Sequence, residues 1–199
     1  MNVLKLLIAA VAGYLIGSFS FSIVISRLYF GKDVREKGSG NAGATNMARS
    51  FGIGPGLITL AGDAVKAAVA MLLGRLLGGE TGLCLAGAAC ITGHCFPAYY
   101  GFHGGKGVSA GLAILFAADW RSAVAALIVF VAVAFSSKKV SLGSLSAAFA
   151  AFLACVLLKC SLPRILMVAF TAAMIFIRHS ENIRRLLKGE EPDFRLKKN

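Results

Sequence analysis

The sequence predicts an all-α integral membrane protein with about seven transmembrane helices. The chain is 57% hydrophobic and 15% charged, with a mean hydropathy of +0.76, whereas soluble domains average about 45–50% apolar and about 25% charged residues. Residues 6–26, 81–102 and 140–158 contain no Asp, Glu, Lys or Arg. Each of these runs is close to the ~20 residues that a membrane-spanning helix needs.

The remaining four candidate spans are shorter or interrupted, and they lie at residues 53–76, 108–118, 122–137 and 165–177. The last one extends to Ser161 if Arg164 snorkels toward the interface. The run at 108–118 is the weakest of them because so few residues cannot cross about 30 Å of hydrocarbon as a straight helix. It predicts either a short helix or one that continues through residues 119–121 at the membrane interface.

The distribution of basic residues predicts the orientation. With seven spans, 15 Lys and Arg residues fall in one set of loops and five in the other, while Lys66 stays within the membrane. The positive-inside rule places the richer set in the cytoplasm, so the N-terminus is predicted outside and the C-terminus inside. The net charge of +12 suits anionic lipid headgroups, and the chain contains no aromatic–basic RNA motif or zinc-finger spacing, so no nucleic-acid partner is expected.

The chain is predicted to form a single membrane domain over residues 1–191, followed by a loose C-terminal tail at 192–199. Gly13 and Gly17 predict close packing on one side of the first helix, because small residues let helix backbones approach each other in lipid. The five cysteines lie in or beside apolar runs and form no CxxC motif. We therefore expect neither a disulfide framework nor a zinc site.

Three polar segments on the predicted cytoplasmic side hold the three histidines and the densest glycines, at residues 38–49, 93–107 and 178–185. In the first, glycines allow the backbone N–H groups to turn inward and form a nest that binds an anion. Short polar residues accompany them: Ser39, Asn41, Thr45 and Asn46. Arg49 adds a bidentate phosphate ligand. The GxGxxG pattern at 38–43 is not a dinucleotide fingerprint, because no βαβ unit surrounds it.

The second and third segments add the titratable groups. Lys106 stands among glycines, as a phosphate contact does, but Tyr100 and Gly107 occupy positions that a Walker A loop reserves for Gly and for Ser or Thr. His94 is either a helix-end histidine or a site residue. In the third segment, His179 and Asn182 are three residues apart and share a helix face.

Most of the usual catalytic motifs are missing from the sequence. It has four aspartates and no carboxylate cluster that could hold a metal ion, no GxSxG elbow, and no HxxxxD motif. We expect no metal and no cofactor. Asp63 and Lys66, at i and i+3, can pair within the membrane, where charged residues are costly and usually functional.

Together these strings resemble the PlsY family, the bacterial acyl-phosphate:glycerol-3-phosphate acyltransferases. The resemblance rests on GSGNAGATN with Arg49, GHCFPAYYGFHGGKGV, RHSENIRRLLKGEE, the D-x-x-K pair at 63–66 and VSLGSL at 140–145. It covers most of residues 14–191, and His103 departs from it, since a basic residue is expected there.

The resemblance implies transfer of a fatty acyl group from acyl phosphate to the sn-1 hydroxyl of glycerol 3-phosphate. The products are lysophosphatidic acid and phosphate, in the first acylation step of phospholipid synthesis. It also implies a bacterial plasma (inner) membrane protein whose active site lies on the cytoplasmic face, with membrane lipid around it.

Our hypothesis assigns roles within that reaction. Ser39, Gly40, Asn41 and Thr45 cradle the acyl phosphate. Lys106, with the backbone of Gly104 and Gly105, neutralises the leaving phosphate. Arg49, Ser144 and Asn182 hold glycerol 3-phosphate, and Lys66 also contacts substrate. Asn46 is grouped with Lys106 and His179 as catalytic, and the base is either His179 or a substrate phosphate.

The alternative function is a transporter of a phosphorylated or anionic solute. Asp63 and Lys66 would then line a path near the middle of the membrane. The gathering of the polar motifs at one membrane face and the lack of an inverted repeat argue against it.

Overall fold

The computed structural model describes residues 2–194, and the regular elements within that range are all helical. In chain order the α-helices of the described part are α1 Val3–Ser18, α2 Phe21–Phe30, α3 Ala44–Phe51, α4 Ile53–Cys95, α5 Val108–Ala118, α6 Trp120–Ser137, α7 Val140–Leu157, α8 Leu162–Arg178 and α9 Ser180–Leu187. Single-turn 3-10 helices occupy Val34–Glu36 and Ala98–Tyr100. Residues 195–199 of the predicted tail lie outside the described residues.

The first predicted span is broken between α1 and α2. Phe19 has an extended backbone (φ −71°, ψ 121°), and Ser20 begins the next helix because its hydroxyl accepts a hydrogen bond from the N–H of Ile23 at 3.5 Å. The carbonyl of Phe19 is thereby left free of the helical ladder, and it accepts a hydrogen bond from the ammonium of Lys66 at 2.6 Å.

The long element α4 is a hairpin of two helices. Gly78 and Gly79 leave the helical conformation, Gly79 with φ +59°, which only glycine adopts readily. The two legs, residues 53–77 and 80–95, touch where a Cβ on Gly74 would lie 2.3 Å from the carbonyl oxygen of Gly82. The hairpin turn falls between two of the predicted spans.

Helix α1 packs tightly against the second leg of α4. A Cβ on Gly13 would lie 2.6 Å from the carbonyl oxygen of Ala86, and one on Gly17 would lie 2.1 Å from that of Cys90. Only glycine fits at either position without moving a backbone. The close packing predicted from Gly13 and Gly17 is confirmed.

The weakest predicted span is a short helix. α5 ends at Ala118, and Asp119 is extended and begins α6, since its Oδ2 accepts hydrogen bonds from the backbone N–H and hydroxyl of Ser122 at 2.8 and 2.9 Å. Of the two alternatives left by the sequence, the short helix is therefore confirmed, and the continuation through residues 119–121 is wrong.

Small side chains fill the centre of the bundle and large apolar ones cover its surface. Ala67, Ala86 and Ala110 are fully buried, whereas Ile128 and Phe135 on α6 are 63% and 86% exposed. In lipid an exposed apolar side chain carries no solvation penalty, and close packing of small residues holds helices together. This distribution suits a bundle surrounded by acyl chains.

Helices of membrane-crossing length and hydropathy occur throughout the described residues. Four stretches meet both requirements: Val3–Phe30, Ile53–Tyr100, Trp120–Ser137 and Val140–Leu157. The pair Leu162–Arg178 and Ser180–Leu187, bent by 62°, makes a fifth if it is one span. The bend lies at His179, where α8 ends and the short α9 begins.

Candidate active site

Three polar segments that are distant in sequence converge on one cavity of about 590 Å³. They are the loop before α3, the loop between α4 and α5, and the junction of α8 with α9, and the start of α7 and the segment after α9 complete the walls. Eleven of the thirteen residues predicted for the site line it: Ser39, Gly40, Asn41, Thr45, Asn46, Arg49, Gly104, Lys106, Ser144, His179 and Asn182. The lining does not include Gly105 or Lys66. The predicted meeting of the three segments is confirmed.

Asn46 holds the first loop in shape. Its Oδ1 accepts the N–H of Ser39 at 2.9 Å, and its Nδ2 lies 2.9–3.0 Å from the carbonyl oxygens of Val34, Lys37 and Asn41. The side chain is 1% exposed. Both polar atoms of Asn46 are thus engaged with the loop backbone, so the amide orders the loop instead of projecting a free group into the cavity, which differs from the catalytic role predicted for it.

The first loop leads into an uncapped helix N-terminus. Gly38 has φ +56°, and a Cβ there would lie 2.2 Å from Oδ1 of Asn46, so only glycine lets the loop close over the amide. α3 begins after Gly43, which offers no side-chain cap, and Thr45 in its first turn lines the cavity. Exposed N–H groups at a helix start carry partial positive charge and bind anions. Arg49, one turn further, adds a full charge to the same wall.

Arg35 joins the first loop to the second, and sequence reasoning missed it. Its guanidinium donates to the carbonyl oxygens of Tyr100 at 2.9 Å and His103 at 3.3 Å, and it also pairs with Asp33 at 2.9 Å. Burial acts to raise the pKa of Asp33, but hydrogen bonds from Arg35 and Arg27 outweigh it and lower this pKa to about 2. The sequence around it shows only a mixture of acids and bases, with Asp33 and Glu36 among Lys32, Arg35 and Lys37.

Two glycines of the second loop lie directly on the end of α4. A Cβ on Gly104 would be 2.1 Å from the carbonyl oxygen of His94, and one on Gly105 would be 2.2 Å from Nε2 of the same residue. Their N–H groups donate to the carbonyl oxygens of Cys95 at 3.3 Å and His94 at 3.0 Å. In this structure both N–H groups are thus bonded to the helix end, and their use for a phosphate stays a prediction.

Lys106 reaches the cavity with a neutral partner. Its ammonium donates a hydrogen bond to Oδ1 of Asn182. Burial lowers the pKa of Lys106 from 10.5 to about 8, and the nearby carboxylate of Glu191 opposes that change. At neutral pH the side chain is a cation whose hydrogen-bonded partner is an amide, which leaves its charge available to an anion.

His179 lies between α8 and α9 and is 3% exposed. Its Nδ1 is 2.8 Å from the carbonyl oxygen of Ile175, which can only accept, so Nδ1 carries the proton and Nε2 has the lone pair. Burial lowers the pKa of His179 to about 4; the bond to Ile175 opposes this and the charge of Lys106 adds to it. The imidazole is neutral at physiological pH and can accept a proton at Nε2.

Glu191 organises this end of the cavity, and sequence reasoning missed its role. Its Oε1 accepts from the hydroxyl of Ser141 and the Nδ2 of Asn182, both at 2.6 Å, and its Oε2 pairs with Arg185 at 2.7 Å. Burial acts to raise the pKa of Glu191, but these hydrogen bonds outweigh the effect of burial, and the pKa is lowered. The contact with Ser141 spans 50 residues of sequence, so no local pattern could reveal it.

Lys66 is buried beneath the cavity among three other groups. Its ammonium donates to the carbonyl of Phe19, lies 3.0 Å from Oδ1 of Asp63 and lies 3.1 Å from Nδ1 of His94. The pairing of Asp63 with Lys66 is confirmed. Of these groups only His94 extends into the cavity lining.

An apolar groove continues from the polar cavity. Its volume is about 200 Å³, and α5, α6, α7 and α8 supply most of its walls. Val108 and Ser144 line both spaces, so the groove opens from the cavity. The hydroxyl of Ser144 donates to the carbonyl of Val140 at 2.9 Å, as helical serines do.

The family model of glycerol-3-phosphate acyltransferase matches residues 7–189. The chain belongs to the glycerol-3-phosphate acyltransferase family. The glycerol-3-phosphate acyltransferase of Caulobacter vibrioides is 45% identical over 197 residues, which cover 98% of this chain and 90% of that protein. The one from Carboxydothermus hydrogenoformans is 37% identical over 194 residues, which cover 98% and 99%.

Two crystal structures of PlsY, an integral membrane glycerol 3-phosphate acyltransferase, share this fold. The glycerol 3-phosphate form has a TM-score of 0.90 at 35% identity and covers 96% of each chain. The lysophosphatidic acid form has a TM-score of 0.88 at 33% identity and covers 96% of this chain and 95% of its own. The family predicted from the three motifs is confirmed, and this family member is a multi-helix integral membrane acyltransferase.

Proposed function

We propose that this protein transfers a fatty acyl group from acyl phosphate to the sn-1 hydroxyl of glycerol 3-phosphate. The observation that carries the proposal is the continuity of a cationic cavity with an apolar groove at Val108 and Ser144. Two phosphate-bearing substrates, one with a long alkyl chain, require both environments side by side. The products are lysophosphatidic acid and inorganic phosphate.

We also propose an arrangement in the membrane. Counting α1–α2 as one span and the two legs of α4 as two gives six spans with α6, α7 and α8. We take the short α5 as the seventh, which crosses only part of the hydrocarbon. The loops around the cavity then lie on the side of the membrane whose loops carry 15 of the Lys and Arg residues. We place this face in the cytoplasm and the N-terminus outside, in a bacterial inner membrane.

The donor phosphate is assigned to the N-terminus of α3. Ser39, Gly40, Asn41 and Thr45 surround this position in the cavity wall. The helix start supplies N–H groups with partial positive charge, and Lys106 supplies a full charge opposite. Asn46 acts on the donor indirectly, by holding the loop. The acyl chain then extends into the apolar groove.

Glycerol 3-phosphate is assigned to the part of the cavity between Arg49, Ser144 and Asn182. Arg49 offers a planar fork that matches two phosphate oxygens. Asn182 is held by Glu191 through a hydrogen bond of 2.6 Å, so its position is defined before substrate arrives. Such preorganisation favours alignment of the hydroxyl with the acyl carbon.

In the reaction, the hydroxyl oxygen of glycerol 3-phosphate forms a bond to the acyl carbon. The bond between that carbon and the phosphate oxygen breaks, and its electron pair leaves with the phosphate beside Lys106. The hydroxyl proton passes to Nε2 of His179 or to a substrate phosphate. The donor is already an activated anhydride, so positioning and charge stabilisation are sufficient for the protein.

The transporter alternative has less support. Asp63 and Lys66 pair with each other below the cavity and do not line it. The polar groups that remain gather at one end of the bundle, where a transferase site is expected.

The test is phosphate release by the purified protein from acyl phosphate and glycerol 3-phosphate, without added metal and corrected for spontaneous hydrolysis. Release should require both substrates. Lys106→Ala should lower kcat by about 10²-fold or more, as removal of one charge-stabilising group does. Lys188→Ala is the matched control, since Lys188 is exposed and outside the cavity lining. Absence of release from folded wild-type protein, or a wild-type rate in Lys106→Ala, would contradict the proposal.

A further inference from the structure

A buried charged cluster below the cavity has no role in the reaction as described so far. Asp63, Lys66 and His94 are 1%, 5% and 5% exposed. Placing charge inside a membrane protein is costly, and such groups are usually functional. His94 is the member of the cluster that lines the cavity, so any effect on the reaction passes through its imidazole.

Lys66 determines which nitrogen of His94 carries the proton. The ammonium lies 3.1 Å from Nδ1 of His94. An ammonium has hydrogens to donate and no lone pair to accept with. Oδ1 of Asp63 also faces Nδ1, but at 3.6 Å it is farther away than the ammonium, so we assign the lone pair to Nδ1. Asp63 at 3.0 Å and the carbonyl of Phe19 at 2.6 Å hold the ammonium of Lys66 in place. The neutral imidazole therefore carries its proton on Nε2.

The Nε2 atom lies between the two glycine loops. A Cβ on Gly105 would be 2.2 Å from Nε2 and 2.9 Å from the carbonyl oxygen of Ala42 in the first loop. Within residues 2–194 the hydrogen bond of the His94 ring is made at Nδ1, by Lys66, and none is made at Nε2. A buried N–H without a protein partner, at the edge of a cavity, is available to a bound ligand.

His94 and His179 are therefore opposite tautomers in the same cavity. Nδ1 of His179 donates to the carbonyl of Ile175, which leaves Nε2 as an acceptor. Nδ1 of His94 accepts from Lys66, which leaves Nε2–H as a donor. Acyl transfer needs both functions, since one oxygen loses a proton while another gains negative charge.

We propose that His94 donates a hydrogen bond from Nε2 to an oxygen of the acyl phosphate that gains negative charge in the transition state. The inference rests on the proposed acyltransferase function. Lys66 and Asp63 are positioning residues that set the tautomer. Because the ammonium and the carboxylate balance each other, the cluster adds a directed dipole to the site without adding net charge. Hydrogen bonds in such chains polarise one another, which strengthens the terminal donor.

The tautomer is measured directly by ¹⁵N NMR on protein labelled in its three histidines. The spectrum of His94→Gln identifies the signals of His94. We expect a protonated Nε2 and an unprotonated Nδ1 for His94, and the reverse for His179. A proton on Nδ1 of His94 would overturn the inference, whether or not the enzyme is active.

The kinetic experiment compares kcat for two variants in which an amide side chain replaces the imidazole of His94. His94→Asn keeps an acceptor within reach of Lys66 and removes the donor at the Nε2 position, while His94→Gln places an amide N–H near that position. For His94→Asn we expect kcat to fall by about 10²–10³-fold with little change in the KM for glycerol 3-phosphate. His94→Gln should recover part of the loss.

The outcomes separate this inference from the proposed function. An inactive wild-type protein contradicts the acyltransferase itself. An active wild type with equal kcat in His94→Asn overturns the donor role of His94 alone. Equal losses in both variants, accompanied by lower thermal stability, would show that the imidazole only fills space, and would also overturn the proposal.

Discussion

Two lysines near the end of the bundle have opposite surroundings. Lys66 is 5% exposed and lies against a carboxylate, a backbone carbonyl and an imidazole nitrogen. Lys106 lines the cavity and donates to the amide of Asn182. The partners differ in charge, and this decides what each cation can do. The charge of Lys66 is balanced within the protein, whereas that of Lys106 remains available to a phosphate.

The sequence did not separate these two lysines, since both were predicted to contact substrate. Lys66 lies in a small-residue stretch of helix and Lys106 follows two glycines of a loop, and each belongs to a string that resembles the family. The distinction depends on tertiary contacts. The most important is the hydrogen bond from Lys66 to the carbonyl of Phe19, which the break between α1 and α2 leaves free of the helix.

The largest expected effect concerns the fold and comes from Lys66→Met. Removing the cation leaves Asp63 charged and buried, and breaking a buried pair in this way costs about 3–5 kcal/mol. The melting temperature of the purified protein measures the loss. In the double variant Asp63→Asn with Lys66→Met, no isolated carboxylate remains, so stability should largely return. If the double variant is no more stable than Lys66→Met, Asp63 and Lys66 do not compensate each other's charge.

The second prediction concerns pH and the charge of Lys106. Its pKa is lowered to about 8, mainly by burial. A lysine is charged below its pKa, so the cation is present at neutral pH and disappears as pH rises through about 8. We therefore expect kcat/KM to fall in that range, approaching tenfold per pH unit on the alkaline side.

Lys106→Arg is the matched variant for that profile. A guanidinium keeps its charge well above this range, so the alkaline fall in kcat/KM should move to higher pH, even if the altered shape lowers the overall rate. The same fall in both proteins would assign it to another group and would contradict the role of Lys106 in charge stabilisation.

Sequence reasoning located the polar segments and the short α5 but not the connections between segments. The glycines at 38–43 and 104–107 mark loops that fold tightly, and this was readable from composition. The direction of each N–H group was not: those of Gly104 and Gly105 turn back to the end of α4. Glu191 contacts Ser141 across 50 residues, beyond the reach of helical periodicity.

The smallest expected effect comes from the apolar groove, whose walls are lined by small side chains at Ala148 and Ala151 on α7. Ala151 lies seven residues beyond Ser144, or about 10 Å along the helix axis, and is 5% exposed. Ala151→Phe should fill the far part of the groove and leave the cavity unchanged. Each methylene then kept from burial costs about 0.8 kcal/mol, or roughly fourfold in kcat/KM. For long-chain acyl phosphates, kcat/KM should fall by this factor for each excluded methylene, while short-chain donors react as in the wild type.

Ala117→Phe on the exposed face of α5 is the control. A uniform loss over all chain lengths would place the acyl chain elsewhere, whereas a selective loss makes the groove beside Ser144 its binding site.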